Sequence, residues 1–275
     1  MLQAKQQVHE LSVSLVDAGL RVAFARLNHE IKKHGISAGM ESLVRKAGCD
    51  HIVETSPETN QVLANRGCLV ITTHPHQKEL AYALAAFNKY KRRDIFVLGA
   101  THFGRLGTAI REQLIPMINV IPFEKTFHGR IMRATGFRDL PAGGHKEVFA
   151  RNTASLEHAV KIMDNGGIVV LFAEGAAIET QAWQGGTGVL VSKMHDNTPI
   201  IFAYQSLPER IAAGKSIVTT KFSNPFIPSE AQQESGSTLL VPAQERKTLV
   251  KWLRKRYGEQ FPQYTKAYGE PDISL

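Results

Sequence analysis

Two hydrophobic periods divide the chain. From Lys5 to Lys33, Leu11, Leu15, Ala18, Val22 and Leu27 recur at spacings of three to five, and Val16, Leu20, Ala23 and Phe24 widen the stripe. That spacing predicts a long amphipathic helix. Gly35 and Gly39 interrupt it, and a short helix is expected over Met40 to Ala47. From about residue 67 short apolar runs rich in β-branched residues alternate with helical stretches. Strands are expected at Cys68–Thr72, Ile95–Leu98, Ile118–Ile121, Ile168–Phe172, Pro199–Tyr204 and Ser216–Phe222. Helices are expected between them at Gln77–Tyr90, Leu106–Leu114, Glu147–Asp164 and Gly188–His195. The Gly166-Gly167 pair after Asp164 is a helix stop. Ile168–Phe172 is apolar throughout, as a strand covered on both faces must be.

Strands alternating with helices imply an α/β fold with a largely parallel central sheet covered by helices. The pattern divides the chain into an N-terminal helical arm (1–50), an α/β domain (51–225) and a linker with a C-terminal helix (226–275). Residues 224–237 are rich in proline and small polar residues and read as loose chain. The last helix, Ala243–Tyr257, carries Arg246, Lys247, Lys251, Arg254, Lys255 and Arg256 beside the apolar Leu249, Val250, Trp252, Leu253 and Tyr257. In open parallel sheets ligands bind outside the carboxyl ends of strands, so the residues just after each strand are where chemistry is expected.

Composition narrows the setting. With 275 residues, 43% of them hydrophobic and 21% charged, the chain has the make-up of a globular protein, not of disordered or collagen-like chain. Cys49 and Cys68 are too few for a disulfide framework and form no C-x-x-C pair, which points to a reducing, cytoplasmic compartment. No stretch reaches the roughly 20 apolar residues of a membrane span, and Lys5 and Glu10 interrupt any signal-peptide core. Membrane association is therefore expected to be peripheral. The net charge of +8 favours an anionic partner, such as an acidic lipid surface or an acidic carrier. Lys89-Tyr90-Lys91-Arg92-Arg93 and the basic last helix come with no nucleic-acid module signature, so nucleic acid is not an expected partner.

Three strand ends carry reactive residues. After Thr72 comes Thr73-His74-Pro75-His76-Gln77-Lys78-Glu79. With His74 in the turn and Glu79 in the first turn of the following helix, the carboxylate can fold back onto the imidazole. It would then fix the tautomer and leave the other ring nitrogen as a general base. A histidine that merely caps the helix is the plainer alternative. After the strand at 168–172 comes Ala173-Glu174-Gly175, a carboxylate that is costly there unless paired or solvated in a cleft. Between them, Ile121-Pro122-Phe123-Glu124-Lys125 sets a cation beyond a third strand end.

Taken in order, these blocks resemble the glycerophospholipid acyltransferase family, whose signature runs H-x4-D, an Asp-Arg pair after a strand, F-P-E-G-T-R, then an apolar V-P-I strand. Here the counterparts are His74 to Glu79, Glu124-Lys125, Phe172-Ala173-Glu174-Gly175-Ala176-Ala177 and Thr198-Pro199-Ile200. Trp183-Gln184-Gly185 looks like the family's F-K-x-G turn. The likeness covers roughly residues 60 to 205. It implies acyl transfer from acyl-CoA or acyl-carrier protein to a lysophospholipid, lysophosphatidate or related hydroxyl. In that chemistry His74 is the base, Glu79 orients it, and backbone N–H groups near the helix start stabilise the oxyanion. Glu174 and Gly175 line the acceptor pocket, and no metal or other cofactor is needed. The chain departs from the pattern at Glu79, Lys125, Ala176 and Ala177. Lysine meets phosphate as a point charge and not as a bidentate fork. Arg105 and Arg130 are candidates to make up the lost contacts, with Arg133 and Arg138 behind them.

Two rival readings use the same residues. His74-Pro75-His76 fits the H-x-H opening of metal-dependent hydrolases, in which two imidazoles share one zinc, although Lys78 beside a divalent cation is unfavourable. The altered motif positions also fit a binding protein with a decayed acyltransferase-like site. Gly35-Ile36-Ser37-Ala38-Gly39 matches a nucleophile elbow by letter but follows a helix end and not a strand.

Overall fold

The computed structural model describes residues 25–73, 79–100, 108–118, 144–174, 183–207, 216–236 and 243–268. Among these, seven strands form one sheet: β1 (Asp50–Glu54), β2 (Cys68–Thr72), β3 (Ile95–Ala100), β4 (Leu114–Met117), β5 (Ile168–Phe172), β6 (Ile200–Ser206) and β7 (Ile217–Phe222). Their order is β1-β7-β6-β2-β5-β3-β4. Strands β6, β2, β5, β3 and β4 run parallel. Strand β7 is antiparallel to β6 and parallel to β1, so this pair runs against the rest. The fold is α/β with a mostly parallel sheet, as the sequence pattern predicts.

Helices cover both faces. One face holds residues 25–34 (α1), α2 (Ile36–Lys46), α3 (Pro57–Asn65) and α4 (Glu79–Ala85), which runs on into a 3-10 turn, Ala86–Tyr90. Val70, Val170, Ile201 and Val218 point from the sheet into this layer. The other face holds α6 (Gly144–Asp164), α7 (Gly185–Lys193), α8 (Pro228–Ser235), α9 (Ala243–Gln260) and α10 (Pro262–Tyr268), packed on Leu69, Ile71, Val169, Ile200 and Phe202. A short α5 (Thr108–Glu112) precedes β4. Successive strand residues feed opposite layers because strand side chains alternate, so β5 is apolar throughout and β2 is apolar up to its last residue, the buried Thr72.

Local sequence explains the element ends. Ser56 caps α3 by accepting from the Thr59 N–H at 3.2 Å, with Pro57 at the first helical position. At the amino ends of the strands the guanidinium of Arg92 gathers the carbonyls of Leu63, Arg66 and Gly166 and pairs with Asp94. The Lys89–Arg93 run is thus in part a structural clasp. Gly67 enters β2 against the Met163 carbonyl, where a Cβ would collide with backbone.

Several elements differ from the sequence expectation. A strand that was not expected runs over Leu114–Met117, with Pro116 inside it; of the strand expected at 118–121, Ile118 lies outside any strand and the rest lies outside the described residues. Strand β4 is a sheet edge, where a missing N–H is tolerated. The segment read as loose chain contains α8, which starts at Pro228 and ends at Gly236 in the left-handed region. Strand β1 and helix α3 carry too little hydrophobic signal to be read in advance. The predicted N-terminal helix is helical over residues 25–34, and its earlier part lies outside the described residues.

The C-terminal helices belong to the core. Leu249, Val250, Leu253, Tyr257, Phe261 and Tyr264 are all buried against the sheet-facing cluster. Burying each such side chain contributes about 1.5–3 kcal/mol. Arg256 pairs with Glu234 at 2.8 Å and lies over the rings of Trp252 and Phe226. Among the described residues no helix is long and apolar enough to cross a membrane.

Candidate functional site at the carboxyl edge of the sheet

Strands β2 and β5 end level with each other, Thr72 opposite Phe172, while β6 pairs Ala203 with Thr72 and runs on to Ser206. The chain leaving β2 enters α4 on one face, and the chain leaving β5 enters α7 on the other. Adjacent parallel strands whose connections part to opposite faces open a crevice at their carboxyl ends. Strand β5 has such a junction on each side, because β3 also leads into a helix on the face of α4, that of Ala109 and Ile110. The β2–β5 junction is the one that joins two of the sequence motif blocks.

Backbone bonds hold the junction closed up to its last residues. The Ala173 N–H donates to the Thr72 carbonyl at 3.0 Å, and the Gln184 N–H donates to the Ala173 carbonyl at 2.8 Å. The start of α7 is therefore tied to the end of β5. Beyond this level the edge turns polar. Thr72 donates its hydroxyl to Gln205 Oε1 at 3.0 Å, while the buried Gln205 Nε2 has no hydrogen-bond partner among the described residues.

Two carboxylates flank the junction, and both are buried. Glu79 opens α4 and is 3% exposed; Glu174 follows β5 and is fully enclosed. Three tyrosines surround them. Tyr204 is half-buried on β6 and stacks on Phe261 with ring centres 5.5 Å apart. Burial raises its phenol pKa, and the charge of Glu79 raises it further. Tyr264 Oη lies 3.5 Å from Glu174 Oε1. Burial and then the Glu174 charge push the Tyr264 phenol up to about 12, with Arg254 pulling the other way. Tyr257, fully buried, donates to the Ala203 carbonyl at 2.7 Å. Its only proton is spent there, so the Thr73 hydroxyl, 3.2 Å away, donates to Tyr257 Oη. Burial holds Tyr257 well above the ordinary phenol range, against the Thr73 hydrogen bond. All three phenols are neutral donors near pH 7.

Of the residues singled out by sequence, Glu79 and Glu174 are brought to the same sheet edge. Glu174 is closed off in the protein interior and faces Tyr264. His74, Gly175, Lys125, Arg105 and Arg130 lie outside the described residues, as do His76, Arg133 and Arg138. Among the described residues no group of three or more His, Cys, Asp or Glu side chains is arranged to hold a metal ion. Sequence reasoning did not connect Tyr204, Gln205, Tyr257 or Tyr264 to the site. The available signal for Tyr257 was its place on the apolar stripe of α9 with Leu249, Val250 and Leu253. A polar cleft lined by Glu30, Glu41, Arg45 and Asn88 lies on α1, α2 and the 3-10 turn, away from the ends of β2 and β5. No protein-family model and no curated protein sequence matches the chain.

Proposed function

We propose that the protein is an acyltransferase working at the carboxyl edge of β2 and β5. It moves a fatty acyl group from a thioester donor, acyl-CoA or acyl-carrier protein, to a lysophospholipid, lysophosphatidate or related hydroxyl. The observation that carries this reading is the pairing of β2 with β5 in register, Thr72 opposite Phe172. The two motif blocks of the sequence, Thr73 to Glu79 and Ala173 to Gly175, therefore begin side by side, where the chain parts to opposite faces. The buried carboxylates of Glu79 and Glu174 at this edge fit a site in which charge is held by the protein and not by water.

In this reading His74 takes the proton of the acceptor hydroxyl as its oxygen attacks the thioester carbonyl. The tetrahedral intermediate collapses, the C–S bond breaks, and the imidazolium returns the proton to the leaving thiolate. An ester and a free thiol result, with no acyl-enzyme and no redox change. Glu79, fixed at the head of α4, orients the imidazole and stabilises its charged form. Lys125, with Arg105 and Arg130, binds the phosphate of the acceptor, and Gly175 lines the acceptor pocket.

The exposed cations of α9, Lys247 and Lys255, support peripheral attachment to an anionic membrane from the cytoplasmic side. Each such charge contributes about 1 kcal/mol near that surface.

The test is transfer of labelled palmitoyl from CoA, and from acyl-carrier protein, to a panel of lysophospholipids, glycerol 3-phosphate and an amine lipid. General-base assistance is typically worth about 10²–10⁴-fold, and His74→Ala should lose activity on that scale.

A further inference from the structure

Two apolar columns on the α4 face of the sheet end in polar side chains. On β2 the column runs Cys68, Val70 and then Thr72; on β6 it runs Ile201, Ala203 and then Gln205. Thr72 is fully buried and Gln205 is 4% exposed. Helix α4, with the buried Glu79 at its head, packs against β6 on this face. The Thr72 hydroxyl donates to Gln205 Oε1 at 3.0 Å, and that bond fixes the plane of the amide. The other end of the amide, Nε2, carries two N–H donors, yet it is buried with no partner among the described residues. A buried donor left unmet costs the fold stability. This one lies at the carboxyl ends of parallel strands, where ligands bind.

We infer that Gln205, its amide oriented by Thr72, is a substrate-binding residue whose Nε2 donates to the carbonyl oxygen of the acyl thioester. The ligand class follows from the chemistry at this edge. An unmet donor calls for an acceptor, and a carbonyl oxygen brings no proton of its own that must be satisfied in turn. Charge argues against a phosphate oxygen. Glu79 is buried on the same face, and after burial it is the Glu79 charge that raises the Tyr204 phenol, so the field here repels an anion. The choice of a thioester carbonyl rests on the acyltransferase reading, whereas the unmet amide on β6 does not.

The test uses the full chain and two analogues of palmitoyl-CoA that cannot transfer their chain, because a methylene replaces the sulfur. One analogue keeps the carbonyl; in the other a methylene replaces that as well. Calorimetry should show the wild type binding the ketone about 3- to 10-fold more tightly, as one net hydrogen bond provides. Gln205→Met, similar in shape but without a donor, should bind the two alike. Thr72→Val leaves the amide free to turn and should narrow the preference, so it decides if Gln205→Met fails to fold. An undiminished preference for the ketone in the folded variants overturns the proposal, as does equal binding of the two analogues by the wild type. Thermal melting gives a second readout. Thr72→Val combined with Gln205→Met replaces both partners by apolar groups of similar size and removes the unmet donor, so it should melt about 2–4 °C above the wild type. A lowered melting temperature would mean that the amide is satisfied in the free protein, and overturns the proposal. If the wild type binds neither analogue, presented on CoA or on acyl-carrier protein, the functional reading fails and the carbonyl assignment falls with it; analogues that bind equally well sink the Gln205 assignment alone.

Discussion

Tyr264 Oη sits 3.5 Å from Glu174 Oε1, joining the last helix of the fold to the end of its central strand β5. Glu174 is fully buried, so its carboxylate depends on protein partners in place of water. Glu174→Ala removes an acceptor that Tyr264 faces and leaves a cavity, at a cost of about 2–4 kcal/mol. Glu174→Gln keeps both shape and an acceptor and should cost clearly less. Urea denaturation of the two variants checks this, and equal losses would mean that Tyr264 does not depend on that oxygen.

Arg92 joins three backbone carbonyls at the opposite end of the sheet and pairs with Asp94. Arg92→Ala removes the shared donor of two part-buried carbonyls, Leu63 and Gly166, and one exposed carbonyl, Arg66, and should destabilise the protein by about 1–3 kcal/mol. The Arg92 hydrogen bond holds the Asp94 carboxyl below its ordinary pKa. A depressed carboxylate pKa adds stability above the unfolded value, near 4, which is lost as pH falls through the folded value. Asp94→Asn should therefore flatten the acid limb of stability against pH while lowering stability at pH 7. Parallel acid limbs in wild type and Asp94→Asn would contradict the pairing.

Gly67 admits no side chain, since a Cβ there would meet the Met163 carbonyl and the backbone of Gly166. The obstacle is main chain and cannot swing aside. Gly67→Ala should cost more than about 3 kcal/mol or abolish folding. Gly185→Ala, where a Cβ meets nothing within 4 Å, is the matched control and should fold normally.

Lys247 and Lys255 are exposed on α9, whereas Arg256 is held by Glu234, Trp252 and Phe226. Deleting α9 would remove core residues, so charge substitution is the cleaner probe of membrane contact. Lys247→Gln with Lys255→Gln should weaken binding to phosphatidylserine vesicles by about 30-fold, two charges at about 1 kcal/mol each, and the difference should shrink at high salt. Sedimentation with vesicles measures this, and unchanged binding would assign the lysines to solvent alone.

The fold was legible where burial is complete. Ile168–Phe172 and Cys68–Ile71 are covered on both faces, so their sequences are unbroken apolar runs. Strand β1 was not legible, because Asp50, Ile52 and Glu54 are exposed and only His51 and Val53 are partly buried. Its hydrophobic residues are too few to stand out, and its place comes from pairing with β7. In β4, Pro116 hides a strand that edge position permits. Helix α8 (Pro228–Ser235) has a single alanine and no larger apolar residue to write a hydrophobic stripe, and only its flanking Pro228 and Gly236 mark it. At the site, the two motif blocks could be read because each follows its strand directly. Tyr257 could not, since its partner Ala203 is 54 residues away and only the tertiary fold joins them.

The most direct measurement compares wild type and His74→Ala in acyl transfer from a thioester donor to the acceptor panel. The account predicts turnover by the wild type on at least one lysolipid and a loss of about 10²–10⁴-fold in His74→Ala with the fold intact. Transfer that persists at the wild-type rate in His74→Ala, or no transfer by the wild type from either donor, would contradict it.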